Sequence, residues 1–316
     1  MIEIVAQSEA MREVMRIASR VATTDVDVLV TGESGTGKDA LALFIHAKSA
    51  RALQPLVKID CAALPSELLE AELFGYERGA FTGATEARPG RFEAAHKGTL
   101  ILDEVSHLSL SAQAKLLRVT ERREFERLGG RRTIKINARL ITLTNVDLED
   151  AVKRQVFRQD LYQRLKKFLI YVPPLRERRE DIRILAEQFL KTYATKHGRP
   201  LSGMAPEALA ILEAYDWPGN VRELANTVER AVIVASGARI EAADLPQAMH
   251  VAVRMERQPL RRRTLAELEA DYIGETLEAV RGNKSEAARL LGISRKNLYE
   301  KLARYGKGET GKGGKG

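Results

Sequence analysis

One cysteine, Cys61, stands in a chain of 316 residues. No intrachain disulfide can form, which excludes a small secreted scaffold stapled by such bonds. No run approaches the ~18–20 apolar residues that a helix needs to cross a bilayer. The first residues do not read as a secretory leader, because Glu3, Glu9, Arg12, Glu13 and Arg16 leave no room for an apolar core region. Aromatic residues are scarce, at 5%, and no internal repeat is visible. These absences describe a soluble, cytoplasmic, reduced protein with no membrane partner. At 44% hydrophobic residues the chain can still bury a sizeable core, and its length suits about two domains. The formal net charge of +8 hints at an anionic partner.

Up to about residue 172, short apolar runs alternate with helix-period segments. The runs 26–30, 56–59, 99–102 and 138–143 each read as buried strands. Such alternation predicts an α/β fold with a parallel sheet covered by helices. Pro173-Pro174 ends the pattern. Residues 173–246 read as helical throughout, with helices over 181–196, 206–215 and 221–236, as in a small lid on the α/β core. A linker is expected over 247–263, which holds Pro259 and Arg261-Arg262-Arg263. Residues 264–305 form a separate helical unit, and 306–316 read as a disordered Gly/Lys tail.

The first chemical motif is Gly32-Glu33-Ser34-Gly35-Thr36-Gly37-Lys38, between a strand and a helix. Glycines let the backbone wrap phosphates, the N–H groups face the anion, and Lys38 reaches the outer phosphates. Asp39 stands where many such loops place a Ser or Thr on magnesium, so the metal must lean on other ligands. The strand over 99–102 ends in Asp103-Glu104. In phosphate-loop enzymes such an Asp holds Mg2+, making Asp103 and Asp39 the candidate metal ligands. The adjacent Glu104 can orient and deprotonate an attacking water. Asn145, at the end of a later strand, reads either as a sensor of the γ-phosphate or as a turn residue. ATP and Mg2+ are the expected cofactors.

Near the C-terminus, residues 283–304 read as a helix–turn–helix. Ser285 is expected to cap the first helix and Ser294 the second, with Gly292 at the turn. Ala288 is small where the helices cross, and Leu290, Leu291, Ile293, Leu298 and Leu302 supply the apolar seam. From Lys284 to Lys307 there are seven basic residues and two acidic ones. In such a motif the second helix enters the major groove, N-terminal end first. Arg295, Lys296 and Asn297 are the candidate base readers, and Lys301 and Arg304 the candidate phosphate contacts. The competing reading is a basic helical hairpin used for protein contact.

Between the two nucleotide motifs lies Glu72-Leu-Phe-Gly-Tyr-Glu-Arg-Gly79-Ala80-Phe81-Thr82-Gly83-Ala84. The string Gly79–Ala84 resembles the signature loop of bacterial enhancer-binding proteins, the AAA+ activators of sigma-54 RNA polymerase. The resemblance runs from about residue 3 to 305. It implies an AAA+ core with a helical lid and a Fis-type helix–turn–helix DNA-binding domain. In that family the loop touches the sigma factor and ATP turnover moves it, so Gly79, Ala80, Phe81, Thr82, Gly83 and Ala84 become candidate sigma-54 contacts. Phe157–Leu165 resembles the arginine-finger segment, which implies that Arg158 and Arg164 reach the γ-phosphate of a neighbouring subunit. Trp217–Leu224 resembles sensor II, which implies that Arg222 contacts nucleotide from the lid. Fingers acting in trans imply a homo-oligomeric, hexameric ring, and the helix over 264–281 resembles a dimer interface.

Four positions depart from the family pattern. Asp60 stands where the family usually has an Asn paired with the catalytic Glu; an ionised Asp would repel Glu104 instead. Ser106-His107 and Lys166 also replace commoner residues. The family often carries a receiver or ligand-sensing domain before the ATPase. Here the ATPase begins almost at residue 1, which implies either a separate regulatory protein or a shortened chain. The leading expectation is an ATP-hydrolysing activator that binds enhancer DNA and remodels the closed sigma-54 polymerase complex. The alternative, kept open by Asp60, is a DNA-bound regulator with a merely structural nucleotide. A motor acting on DNA itself is a third reading, against which the sigma-contact loop weighs.

Overall fold

The computed structural model describes residues 4–250 and 265–305. The chain divides into two compact units, 1–253 and 254–316, each considered by itself. Most of the expected linker (251–263) and all of the expected tail (306–316) lie outside the described residues.

The first unit is built on strands β1 (Val28–Thr31), β2 (Leu56–Asp60), β3 (Thr99–Asp103), β4 (Glu124–Glu126), β5 (Thr133–Lys135), β6 (Arg139–Thr144) and β7 (Leu169–Tyr171). Five of them form a parallel sheet in the order β2-β3-β6-β1-β7. Helices α1 (Glu9–Ala22), α2 (Lys38–Ala47), α3 (Ser66–Phe74), α4 (Arg91–Ala94), α5 (Leu110–Arg122), α6 (Leu148–Lys153) and α7 (Gln159–Leu165) complete the core. Side chains alternate across each strand, and the two cores follow from this. Val28, Val30, Ile101, Ile141 and Leu143 pack with α1 and α2 residues such as Val21 and Ile45. Leu29, Leu100, Leu102 and Leu140 pack on the opposite face with Phe74, Phe92 and Leu116.

Three expectations need correction. The run 56–59 is not a buried strand: β2 is the sheet edge, and only Ile59 in it is buried. The expected strands omitted β7 and the antiparallel β4–β5 hairpin, whose three-residue strands are too short to show a period. The lid is not wholly helical, because β8 (Gly203–Met204) pairs with β9 (Arg239–Ile240). Its helices are α8 (Glu180–Lys196), α9 (Pro206–Ala214) and α10 (Asn220–Val234). They close around Trp217, which is wholly buried and donates its indole N–H to Leu212 O at 2.8 Å.

One buried cation organises the core. Arg139, 1% exposed, donates to the carbonyls of Val21 (2.8 Å), Ala22 (3.2 Å) and Val26 (3.2 Å). It satisfies the last carbonyls of α1, which no intrahelical donor can reach. Burial lowers its pKa, and Asp25 and Asp27 oppose that shift.

The second unit holds α11 (Leu265–Ala279), α12 (Lys284–Leu290) and α13 (Arg295–Arg304) around Ile273, Ala287, Ala288, Leu298 and Leu302. Among the described residues, no helix is long and apolar enough to cross a membrane.

Candidate active site

The sheet's carboxyl edge carries the chemistry, as parallel α/β sheets generally do. The glycine-rich loop follows β1, Asp103-Glu104 ends β3, and Asn145 follows β6. Gly35 and Gly37 sit at φ of 77° and 102°, a region open to glycine and closed to most side chains. A methyl group on Gly35 would also lie 2.3 Å from the Gly219 carbonyl, so the loop and the lid are in direct contact there. A cleft of about 440 Å³ opens between them, lined by Ser34, Gly35, Lys38, Asp39, Asp60, Asp103, Glu104 and Arg222 among others. A larger hollow of about 780 Å³ within the lid has none of these groups.

Lys38 folds back on its own loop, donating to Gly32 O (2.8 Å) and Glu33 O (3.1 Å). Burial lowers its pKa, while Glu104, Asp103 and Asp39 pull the other way. Glu104 adopts φ of 52°, unusual for a residue with a side chain, and its carboxylate accepts the Asn145 backbone N–H at 3.2 Å. The Asn145 expectation therefore gains a second element, because its main chain holds Glu104. Asp60 lines the cleft, but its carboxylate is bound by the Ala62 N–H at 2.9 Å.

Asp39 and Asp103 aim at one point. Both contact the Lys58 ammonium, Asp39 Oδ1 at 2.6 Å and Asp103 Oδ2 at 3.1 Å. Burial opposes the Lys58 charge, but bonds to the two carboxylates outweigh it and raise its pKa. Two converging carboxylate oxygens would suit a hard cation such as magnesium, with the remaining ligands left to water and phosphate. Among the described residues, no group of three or more His, Cys, Asp or Glu could hold a metal by protein ligands alone.

The lid grips the loop through residues the sequence reading passed over. Arg176 forms a two-pronged pair with Glu33, at 2.5 and 2.8 Å. That bond, with help from Asn220, lowers the Glu33 pKa to about 2. Asn220, wholly buried at φ of 53°, donates to Ser34 O (3.0 Å) and Glu33 Oε2 (3.2 Å) and accepts the Leu175 N–H (2.7 Å). Arg222 reaches the Ser34 hydroxyl at 3.1 Å, so the expected lid arginine does overhang the loop. Behind the loop, buried Arg178 donates to Thr36 O at 2.6 Å.

Two groups of expected site residues lie apart from this cleft. Arg158 pairs with Asp160 at 2.7 Å, and Arg164 donates to Thr120 O at 2.7 and 3.2 Å. Neither lines the cleft of its own chain. The segment 79–84 is a tight loop, exposed at Gly79 and 81–83 but with Ala84 buried, so that expected sigma-54 contact is turned inward. Gly79 N–H donates to Ala84 O (2.8 Å) and Ala84 N–H to Phe81 O (3.0 Å). Phe81 is 43% exposed and rests edge-on against Tyr76, ring centres 5.0 Å apart. Gly129 of the β4–β5 turn lies against Ala80.

In the second unit, α12 is capped by Asn283, not Ser285; its Oδ1 accepts the Ser285 and Glu286 N–H groups. The longer amide reaches back over the first turn, leaving Ser285 inside the helix. Ser294 caps α13 as expected, and Gly292 makes the turn at φ of 67°. Leu290 leaves the expected seam, being 58% exposed, and Ala287 takes its place. Arg295, Lys296, Asn297 and Arg304 are exposed. Lys301 instead pairs with Glu269 at 2.7 Å.

Comparison with known proteins agrees with this fold. Residues 4–171 match the sigma-54 interaction domain, 176–261 the AAA+ ATPase lid domain, and 264–305 the bacterial regulatory protein, Fis family. The regulatory protein AtoC of Escherichia coli (strain K12) is 46% identical over 96% of this chain and 68% of its own length. The phenol regulator MopR of Acinetobacter guillouiae is 44% identical over 96% of this chain and 56% of its own. Crystal structures of NtrX from Brucella abortus with ADP and with ATP superpose with TM-scores of 0.73 and 0.71, at 35% and 37% identity. They cover 96% of this chain and 70% and 69% of theirs.

Proposed function

Because this chain belongs to the sigma-54-dependent AAA+ regulators with a Fis-type helix–turn–helix, we propose that it is an ATP-driven transcriptional activator. It binds enhancer DNA, forms a hexameric ring in the cytoplasm and remodels the closed sigma-54 polymerase complex. The observation that carries this reading is one cleft holding Lys38, Asp103 and Glu104, in a unit that also displays Phe81 on an exposed glycine-flanked loop.

The loop N–H groups of residues 35–38 cradle the phosphates, and Lys38 leaves its own carbonyls to meet them. Asp103 and Asp39 would hold magnesium, which neutralises charge on the phosphate oxygens. Glu104, oriented by the Asn145 N–H, positions water and takes its proton. Arg222 reads the nucleotide from the lid. Arg158 and Arg164 leave Asp160 and Thr120 to meet the γ-phosphate of a neighbouring subunit. In the second unit, Arg295, Lys296 and Asn297 read bases, Arg304 contacts phosphate, Lys301 joins it only by leaving Glu269, and α11 joins two copies.

The structural-nucleotide alternative rests on Asp60 repelling Glu104. Each carboxylate has its own backbone donor, Ala62 for Asp60 and Asn145 for Glu104, and this favours the hydrolytic reading. A native gel shift with purified sigma-54 tests it, comparing no nucleotide, ADP, and ADP with a metal-fluoride mimic of the transferring phosphate. A complex with the mimic alone is expected. ATP hydrolysis without any complex would mean a different remodelling target, and absence of both would return the structural-nucleotide reading.

A further inference from the structure

We propose that Lys58 is a resident counter-cation of the active site: its ammonium holds the magnesium position between Asp39 and Asp103 and must withdraw when the metal binds. Lys58 contacts Asp39 Oδ1 at 2.6 Å and Asp103 Oδ2 at 3.1 Å. The two carboxylates come from separate elements, Asp39 from the first turn of α2 and Asp103 from the end of β3. Without a cation between them they repel. One ammonium and one hydrated metal ion compete for the same two oxygens and cannot both use them.

The route out is open. Lys58 sits on β2, the edge of the sheet, with no strand beyond it to wall in the four-carbon stem. Its side chain is 40% exposed, so rotation about the stem frees both carboxylates without moving the backbone. The consequence is a site whose charge stays balanced between turnovers, with a weakened dependence of nucleotide binding on the metal. Lys58 is a positioning residue, acting on the metal ligands rather than on the substrate.

This inference rests on the magnesium-nucleotide reading above, and one experiment separates the two. Binding of a fluorescent ADP to the full chain is measured in excess EDTA and in saturating Mg2+, for wild type and Lys58→Met. The wild type is expected to bind in Mg2+; if it does not, the nucleotide reading fails. In Lys58→Met the EDTA-to-Mg2+ ratio of Kd is expected to rise roughly tenfold, as two part-exposed ion pairs are worth together (~1.4 kcal/mol). Lys58→Arg keeps the charge and should restore the wild-type ratio. Lys58→Gln, which also removes the charge, guards against a packing defect peculiar to Met. Mg2+ alone, without nucleotide, should raise the Tm of Lys58→Met more than that of wild type. A wild type that binds, with an unchanged ratio in both neutral variants, would overturn the role of Lys58 and leave the nucleotide reading intact.

Discussion

Replacing Asn220 with Ala tests the grip of the lid on the phosphate loop. The wild-type amide makes three hydrogen bonds, to Ser34 O, Glu33 Oε2 and the Leu175 N–H. Ala removes two donors to the loop and leaves the Leu175 N–H buried without an acceptor, a loss of about 1–3 kcal/mol on its own. The backbone φ of 53° adds about 1 kcal/mol, because Asn tolerates this region better than Ala. A total of about 3–4 kcal/mol follows, which lowers Tm by about 10 °C in a unit of this size. The assay is built into the chain: Trp217 is the only tryptophan, wholly buried in the lid three positions before Asn220. Its fluorescence reports lid unfolding directly, and ADP affinity should fall in parallel. Asn220→Asp keeps the Leu175 acceptor and the backbone tolerance but sets a carboxylate against Glu33. It should therefore be as damaging as Ala. A Tm within about 2 °C of wild type in Asn220→Ala, with ADP affinity unchanged, would refute the reasoning.

Further outcomes are expected elsewhere. The Glu33 pKa lies at about 2 in the folded chain against an ordinary 4.5, so its bond to Arg176 stabilises fully above pH 4.5 and fades as pH falls towards 2. Glu33→Gln should flatten the Trp217 stability profile in that window, by under about 1 kcal/mol because the pair is part-exposed. Arg139→Met removes the side-chain donor to the Ala22 and Val26 carbonyls, while Val21 O keeps the Thr24 N–H and hydroxyl, and it should cost about 2–3 kcal/mol, read as a lower Tm with no change in cleft chemistry. In a DNA-binding titration against salt, Arg304→Ala should weaken all sequences alike and reduce the salt slope by about 1, whereas Arg295→Ala should relax specificity at one base position. Equal behaviour of the two variants would contradict the division into base and phosphate contacts.

Local patterns carried the chemistry into view before the structure did. The continuous apolar run Val28-Leu29-Val30 reads as a strand buried on both faces, as the structure has it, and the glycine loop announces itself through spacing. Ser294 and Gly292 sit where capping and turn rules put them. What stayed hidden depends on distance along the chain. The bonds from Arg176 to Glu33 and from Asn220 to Ser34 span 143 and 186 residues, and no local period reports them. Lys58 had a faint signal, two positions before Asp60 on one strand face, but its tie to Asp39 and Asp103 needs three elements together. The Ser285 expectation failed because two good caps stand close together and the Asn side chain reaches further. The β7 strand failed because three residues show no period, although it closes the sheet beside β1.

The most direct measurement of the central claim is promoter melting. Unpaired thymines are mapped by permanganate on a sigma-54 promoter bound by its polymerase, with wild type, Glu104→Gln and Phe81→Ala. The account predicts opening only by wild type and only with hydrolysable ATP. Glu104→Gln should still bind nucleotide, and Phe81→Ala should still hydrolyse ATP. Opening by Glu104→Gln, or by wild type with a non-hydrolysable analogue, would contradict the coupling of hydrolysis to remodelling.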